Sequence, residues 1–409
     1  MTRKIAAGLL DRTSPPHIVT LVLLASASPL SMTMFLPSLP NMTAYFQSEY
    51  RVMQLSVAAY LFMNGLLHVV LGPLSDRFGR RPVMIWAIVL FILATIGCLL
   101  STSVEMFLMF RMMQAVIVAG MVLSRAVVRD MVPQDEAASM IGYVTMGMAL
   151  VPMFAPTIGG VLDETFGWKA SFGFLLLFGF GLLIVTFHDL GETAIHRSAS
   201  FVQQFRGYPE LFRSRRFWGY AAVATCASGS FFAFLGGVPI IGTDHFELSP
   251  SQLGMCFGLT AFGYMLGNFT SGRWSRRFGV NRMLLSGSVI MLCCPVVGFL
   301  VLALGISHPL GFFGATAIIG ISNGMILPNA TAGMLSVRPH LAGTASGIGG
   351  ALTIGGGAGV SALAGTVVAA NPHPAPMLTI FLACTVLCLL ATLYITTVEH
   401  SLRRRNPGT

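Results

Sequence analysis

The chain has 409 residues, of which 55% are hydrophobic and only 10% are charged, and its net charge is +9. Soluble domains carry about 25% charged residues, so this composition excludes an ordinary soluble protein and indicates a surface covered largely by lipid. Long continuous apolar runs favour helices, because the strands of a membrane barrel alternate apolar and polar residues. We therefore predict an all-α membrane protein.

The positive charges occur in short clusters between apolar runs. This pattern is typical of membrane topology and argues against a nucleic-acid partner. The seven cysteines lie inside apolar runs without the spacing of a zinc site, so we predict no metal. Ala25-Ser26-Ala27 resembles a signal cleavage site, but its apolar run continues to about Leu36, which indicates an uncleaved first span.

Apolar runs separated by polar breaks predict twelve transmembrane helices. The longest polar stretch, 188–216, separates an N-terminal six-helix bundle over 1–187 from a C-terminal six-helix bundle over 217–409, and we interpret it as a cytoplasmic linker. The predicted spans are 18–39, 53–74, 82–101, 105–130, 138–162, 170–187, 217–241, 251–271, 283–304, 309–335, 341–369 and 376–396.

The distribution of basic residues predicts the orientation, since inside loops carry an excess of Lys and Arg. With the N-terminus inside, only Arg51 and Lys169 fall in outside loops, and Arg111 and Arg125 fall within span four. All other basic residues then lie inside. Both termini are therefore expected to be cytoplasmic.

An internal repeat supports two related halves. The segment Gly72-Pro-Leu-Ser-Asp-Arg-Phe-Gly79 recurs as Gly272-Arg-Trp-Ser-Arg-Arg-Phe-Gly279, displaced by 200 residues. Each copy lies between the second and third spans of its half. Duplicated halves with a central site near the bilayer midplane are one common transporter architecture.

The first copy of the repeat carries a recognisable pattern. Gly72-x-x-x-Asp76-Arg77-x-Gly79-Arg80-Arg81 resembles the cytoplasmic signature of the major facilitator superfamily. The resemblance implies a gate formed by this loop together with Arg129 after span four. Asp76 could oppose the positive end of span eleven near Thr344 or pair with an arginine of span four, and an ordinary interface charge is the alternative.

Further segments resemble the drug:proton antiporter branch, and within it the bicyclomycin/chloramphenicol-resistance (Bcr/CflA) family. They are Arg111-x-x-Gln114 in span four, Gly147…Ala155-Pro156-x-x-Gly159-Gly160 in span five, Met34-Phe35-Leu36-Pro37-Ser38-Leu39-Pro40 at the end of span one, Arg129-Asp130, and His340-Leu-Ala-Gly-Thr-Ala345. The resemblance implies proton-driven multidrug efflux of small, mostly apolar drugs across the bacterial inner membrane.

One position departs from that family. Its aspartate in span one is replaced here by Thr33, and all fifteen acids of the chain fall in loops or at span ends. This departure leaves a second hypothesis open, a facilitator-type transporter of an endogenous small metabolite without proton coupling through an intramembrane acid. The fold inference is unaffected by it.

Two residues are candidates for proton coupling. Arg111 lies within span four, where a cation costs roughly 2.5–3.5 kcal/mol and should face the protein interior or a water-filled cavity; snorkelling to the interface is the alternative. His68 lies within span two, and an imidazole changes charge near neutral pH. A neutral, hydrogen-bonded imidazole is the alternative interpretation of His68.

The candidate substrate cavity combines adaptable apolar side chains with a few polar ones, which suits promiscuous recognition. Arg125 could instead pair with an acid of a gate or snorkel to lipid phosphates. The predicted cavity residues are Thr33, Met34, Phe35, Gln114, Met121, Arg125, Met146, Phe232 and Phe234.

The sequence carries no phosphate-binding loop and no catalytic motif, so we expect neither ATP as the energy source nor an enzyme. No cofactor is predicted beyond a proton gradient. The expected partners are the lipid bilayer, protons, and small-molecule drugs or metabolites. Nothing in the sequence demands an oligomer, and a monomer is expected.

Overall fold

The computed structural model describes residues 16–131, 134–193, 208–338 and 341–405, and these are almost entirely helical. The first nine helices are α1 (Ile18–Thr33), α2 (Leu39–Tyr45), α3 (Tyr50–Met53), α4 (Leu55–Phe78), α5 (Arg80–Leu100), α6 (Val104–Gln114), α7 (Val118–Met131), α8 (Gln134–Phe166) and α9 (Lys169–Asp189). They are followed by α10 (Tyr208–Phe212), α11 (Arg215–Ile240), α12 (Pro250–Phe278), α13 (Val280–Ala303), α14 (Pro309–Ser336), α15 (Ala342–Ala370) and α16 (Pro374–Arg405).

Within this described part, 10 helical segments are long and apolar enough to cross a membrane. Two further long helices, α8 and α12, coincide with the predicted fifth and eighth spans. The predicted bounds are close but not identical. Both α9 and α11 extend slightly into the predicted linker, which also contains α10, and α16 continues past the predicted end of the last span.

Two of the predicted spans are each interrupted by a short 3₁₀ turn. The first span bends into a 3₁₀ turn over Leu36–Ser38, where Pro37 lacks the N–H that an α-helix needs. Span four tightens into a 3₁₀ turn over Ala115–Ile117, directly after Arg111 and Gln114.

The internal repeat has the same backbone form in both copies. Gly79 and Gly279 each have a positive φ, of 101° and 82°, and each ends one long helix and begins the next. This left-handed conformation favours glycine because it has no Cβ. We call the end of the molecule that carries these two turns the motif end, and the opposite end the far end.

The N-terminal part (16–193) and the C-terminal part (208–405) pack together chiefly through α8 against α12 and α4 against α15. At the far end, α8 and α12 approach backbone to backbone. A Cβ added to Gly254 would lie 2.5 Å from the carbonyl oxygen of Pro156, and one added to Gly160 would overlap the backbone of Pro250. Glycine is therefore what permits this crossing.

Hydrogen bonds also join the two parts toward the far end. The hydroxyl of Tyr50 donates to the carbonyl of Gly236 at 3.1 Å, and Gln54 Nε2 donates to the carbonyl of Ser361 at 2.8 Å. On the surface, the amide of Ser251 donates to Glu164 Oε1 at 2.9 Å. These contacts close the far end between the two parts.

A valine at position 254 should open this closure. In Gly254→Val we expect the added side chain to force α8 and α12 apart, since overpacking a contact of this kind costs about 1–3 kcal/mol. A cysteine introduced at Ser251 should then react faster with a membrane-impermeant maleimide than it does without the valine. Gly314→Val is the matched control, because a Cβ there meets nothing within 4 Å. Equal labelling rates in the two valine variants would contradict the role given to Gly254.

Candidate functional site

The turn after α4 is organised around Arg80. Its guanidinium contacts Asp76 Oδ1 at 2.6 Å and Asp130 Oδ2 at 3.2 Å, and it also donates to Ser75 Oγ. Asp76 precedes the turn and Asp130 lies near the end of α7. The arginine therefore ties the predicted gating loop to the helix that follows Arg111.

The neighbouring residues of the signature attach the turn to the C-terminal end of α9 and to the segment after it. Arg81 donates to the carbonyls of Leu190 at 2.8 Å and Phe187 at 3.1 Å. The amide of Arg80 donates to Glu192 Oε1 at 2.9 Å. The side chain of Arg129, which was predicted to belong to this gate, lies outside the described residues.

A cavity of about 460 Å³ lies at the motif end, between the N-terminal part and the start of α15. It contains several of the residues predicted from sequence on α4, the turn and α7, and Thr344 of α15 lies across from them. The predicted residues that line it are His68, Gly72, Asp76, Arg80, Met121 and Arg125. Residues that were predicted separately, for the gate and for the substrate cavity, thus line the same cavity.

His68 combines access to this cavity with a polar contact on its own helix. Its Nδ1 lies 2.9 Å from the carbonyl oxygen of Asn64, a contact that fits an Nδ1–H donor. Asn64 in turn donates to Ser28 Oγ at 2.9 Å. The ring also faces α15, where a Cβ added to Gly350 would lie 3.3 Å from it. With an Nδ1–H donor, the ring lone pair of a neutral imidazole lies on Nε2.

Arg111 is completely buried, at 0% exposure. Its Nη1 donates to Ser31 Oγ at 2.9 Å and to Gln114 Oε1 at 2.7 Å. Its Nη2 donates to the carbonyl of Ser31 at 2.8 Å, and its Nε donates to that of Ser56 at 3.3 Å. This burial excludes snorkelling, the alternative considered for Arg111.

Two aromatic rings complete the surroundings of this guanidinium. Its carbon lies 4.4 Å from the centre of the Phe35 ring and 4.1 Å from that of Tyr60. Such cation–π contacts are worth about 2 kcal/mol when desolvated. The partners of Arg111 described above are thus neutral oxygens and π faces.

Several residues predicted to line the substrate cavity are packed away from the motif-end cavity. The side chain of Thr33 donates to the carbonyl of Pro29 at 2.8 Å, and Gln114 donates to Thr95 at 2.8 Å. The structure buries these residues in helix contacts and does not bring them to the space that Met121 and Arg125 line; they are Thr33, Met34, Phe35, Gln114, Phe232 and Phe234. The side chain of Met146 lies outside the described residues.

The antiporter pattern of span five lies where α8 meets its neighbours. A Cβ on Gly159 would overlap the carbonyl of Met34, and Gly160 and Pro156 contact α12 as described above. The pattern therefore joins α8 to span one and to the C-terminal part. Gly147, the first residue of the pattern, lies within α8, and His340 of the span-eleven pattern lies outside the described residues.

Some residues that complete these contacts escaped the sequence analysis. Tyr60 and Ser31 hold Arg111, and Gln54 links α4 to α15. A signal existed for Gln54, since an amide at a span boundary needs a partner. The role of Tyr60 depends on a contact between helices that no spacing in the sequence reveals.

Two acidic residues at the far end, Asp163 and Glu164, had no role predicted from the sequence beyond their place in a loop or at a span end. Hydrogen bonds from Ser249 and Ser251 lower the pKa of Glu164 below its ordinary value. Burial raises the pKa of Asp163, while hydrogen bonds from Asn41 and Ser38 oppose the rise. Asp163 is only 5% exposed and accepts a 2.7 Å hydrogen bond from Asn41.

Known proteins resemble the chain over most of its length. Residues 21–362 and 243–409 match the family model described as Major Facilitator Superfamily. The chain is 29% identical to a chloramphenicol resistance protein of Pseudomonas aeruginosa, with 78% of this chain and 76% of that protein covered. It is 28% identical to multidrug resistance protein D of Escherichia coli (83% and 86% covered) and 26% identical to a bicyclomycin resistance protein homolog of Haemophilus influenzae (93% and 96% covered).

A solved structure supports the same fold. A bacterial homolog of the human lysosomal transporter Spinster, in an inward-facing and occupied conformation, superposes with a TM-score of 0.70 at 14% identity, covering 94% of this chain and 96% of that one. The relatives confirm the resemblance to the bicyclomycin/chloramphenicol-resistance family. The chain belongs to the major facilitator superfamily and is a multi-pass transporter of the inner membrane.

Proposed function

We propose that the protein exports small, mostly apolar drugs by proton antiport with alternating access. The observation that carries this proposal is the pairing of a closed far end with a motif-end cavity that contains His68. A site between two helical bundles that is closed toward one side is what alternating access requires. The names of the relatives, which refer to chloramphenicol, bicyclomycin and multidrug resistance, support drugs as the substrate class.

The proposal includes the complete topology. Adding α8 and α12 to the 10 apolar segments gives twelve spans, in two bundles of six joined by the linker 188–216. The basic residues on both motif turns support a cytoplasmic motif end, and with it cytoplasmic termini. The cavity then faces the cytoplasm, from which a drug would enter. One chain supplies the entire path, so the proposed transporter works as a monomer.

Proton coupling has two candidate carriers because Thr33 offers no carboxylate. His68 is the first, since a change in its charge would alter the contact between α4 and α15. Asp163 is the second, since it is buried at the far end, where protons would enter, and burial raises its pKa. A proton gradient drives export only if protonation and drug binding favour different conformations.

A facilitator of an endogenous metabolite is the second candidate function. It is favoured by a specific observation, the placement of all fifteen acids in loops or at span ends. In such a transporter His68 would be a neutral hydrogen-bonding side chain, and substrate would equilibrate across the membrane. The two functions differ in whether transport is coupled to a proton gradient, and both use the same fold.

Transport in inside-out vesicles tests the proposal. The vesicles are energised to form a pH gradient, which a fluorescent dye reports, and chloramphenicol and other antibiotics are added one at a time. We expect at least one compound to dissipate the gradient only when the protein is present. If no compound does so while labelled metabolites still equilibrate, the facilitator becomes the better account.

Replacing the imidazole separates the two proton carriers. In His68→Gln we expect drug-induced dissipation of the pH gradient to disappear, because an amide can replace the hydrogen bond to Asn64 but cannot titrate. The matched control is His188→Gln, an exposed histidine. Should His68→Gln retain full coupling while Asp163→Asn loses it, the carboxyl group is the carrier.

Transport should depend on the planar guanidinium of Arg111 as well as on its charge. In Arg111→Lys we expect transport to fall at least about tenfold, because an ammonium cannot reproduce the four donated bonds and each charge-assisted bond is worth about 1.5–3 kcal/mol. Initial rates of drug transport in vesicles, normalised to folded protein, measure the loss. The control is Arg51→Lys, whose arginine is exposed. Wild-type rates in Arg111→Lys would show that the charge alone suffices.

A further inference from the structure

The two copies of the repeated turn have the same backbone conformation but differ in the groups that lie against it. After Gly79 (φ 101°, ψ 152°) helix α5 begins, and after Gly279 (φ 82°, ψ 161°) helix α13 begins. Neither glycine can cap its helix with a side chain, so the first N–H groups of α5 and α13 need other partners. Such groups, together with the helix dipole, favour an anion.

In the first copy, a carboxylate of the chain itself is the anion at the start of the helix. The carboxylate of Glu192 accepts a 2.9 Å hydrogen bond from the amide of Arg80, the first residue of α5. A Cβ on Gly79 would overlap this carboxylate, so the glycine also makes room for it. The repeat thus shows an anion bound to this backbone geometry, through a residue 112 positions away in sequence.

In the part of the chain that the structure describes, the corresponding position in the second copy is open and basic. A Cβ on Gly279 would meet nothing within 4 Å. The turn borders a cavity of about 650 Å³, which is far larger than a carboxylate needs. The lining includes the charged residues Arg216, Arg277, Arg282 and Glu399.

The positive charges of this cavity exceed the negative ones. Glu399 is the carboxylate of the lining, and it contacts Arg216 Nε at 2.6 Å and accepts a hydrogen bond from Tyr220 at 3.1 Å. Tyr220 also lies 3.0 Å from Asn281 Oδ1. Arg277 and Arg282 are exposed and flank Gly279 on either side. Two guanidinium groups therefore line the same cavity as the residues that begin α13.

We propose that this cavity, bounded by the Gly279 turn, α11 and α16, is a binding site for a phosphate group. Arginine forks and helix N-termini are the two protein features that suit phosphate oxygens best. A bound phosphate would take the place that Glu192 occupies in the first copy and would connect the α12–α13 turn to the end of α16. The phosphate can come from an anionic lipid headgroup or from a soluble phosphate compound. This site is separate from the drug path and does not depend on the proposed function.

Thermal unfolding with two probes tests the site and separates the two sources. Delipidated protein in detergent is titrated with inorganic phosphate against sodium chloride of equal ionic strength. In parallel, the protein is placed in nanodiscs of phosphatidylcholine with or without phosphatidylglycerol. We expect one of the probes to raise Tm. In the double variant Arg277→Gln, Arg282→Gln we expect the concentration needed for half of that shift to rise at least about tenfold.

A second pair of exposed arginines provides the control. Arg213→Gln with Arg273→Gln removes two charges that do not line the cavity, and the response to the probe should stay at the wild-type level. A response to phosphate that the cavity variant loses identifies a soluble ligand, and a response only to phosphatidylglycerol that it loses identifies a lipid headgroup. The absence of both responses, or equal responses in wild type and cavity variant, would overturn the proposal.

The first copy offers a reciprocal test. Glu192→Ala removes the carboxylate from the amide of Arg80 and leaves the Gly79 turn open. We expect inorganic phosphate to raise the Tm of this variant by more than it raises that of wild type. An equal or smaller increase would show that the turn geometry does not itself bind anions.

Discussion

The buried guanidinium of Arg111 is the constraint on which the N-terminal part depends. A cation in the membrane interior costs roughly 2.5–3.5 kcal/mol, and here neutral groups offset that cost. Three of the four donated hydrogen bonds connect α6 to α1 and α4, the fourth stays within α6, and the rings of Phe35 and Tyr60 lie against the charge. Any helix of this group that moves must carry the others with it, which suits a bundle that rocks as a rigid unit.

The two ends of the molecule are built differently around that rigid unit. At the far end, glycines allow α8 and α12 to touch backbone to backbone, so closure there needs no charged side chains in the membrane. At the motif end, Arg80 holds Asp76 and Asp130 beside a cavity. The contacts of Gly254 and Gly160 with the backbone of the facing helix involve no charged side chain, whereas an ion network can re-form in a second arrangement. The two kinds of contact suit a structure with two alternating closures.

Some of these elements could be predicted from the sequence and others could not, and the difference has a physical reason. The loop that contains Gly79 and the apolar helices follow from local sequence patterns, and both were predicted. The partners of Arg111 and the carboxylate of Glu192 depend on contacts between distant segments, which composition and spacing do not reveal. Phe35 and Gln114 were predicted to line a substrate cavity from their residue type, and the structure places both against Arg111.

The central claim, proton-coupled export without a carboxylate inside a span, has a direct electrical test. If one proton is exchanged for one neutral drug molecule, each cycle moves a net positive charge. In proteoliposomes without a pH gradient, a potassium diffusion potential that is positive inside should then drive protons out and accumulate labelled chloramphenicol inside. Accumulation above the outside concentration is the predicted result. Equilibration without accumulation, under this potential and under an imposed pH gradient, would contradict the account.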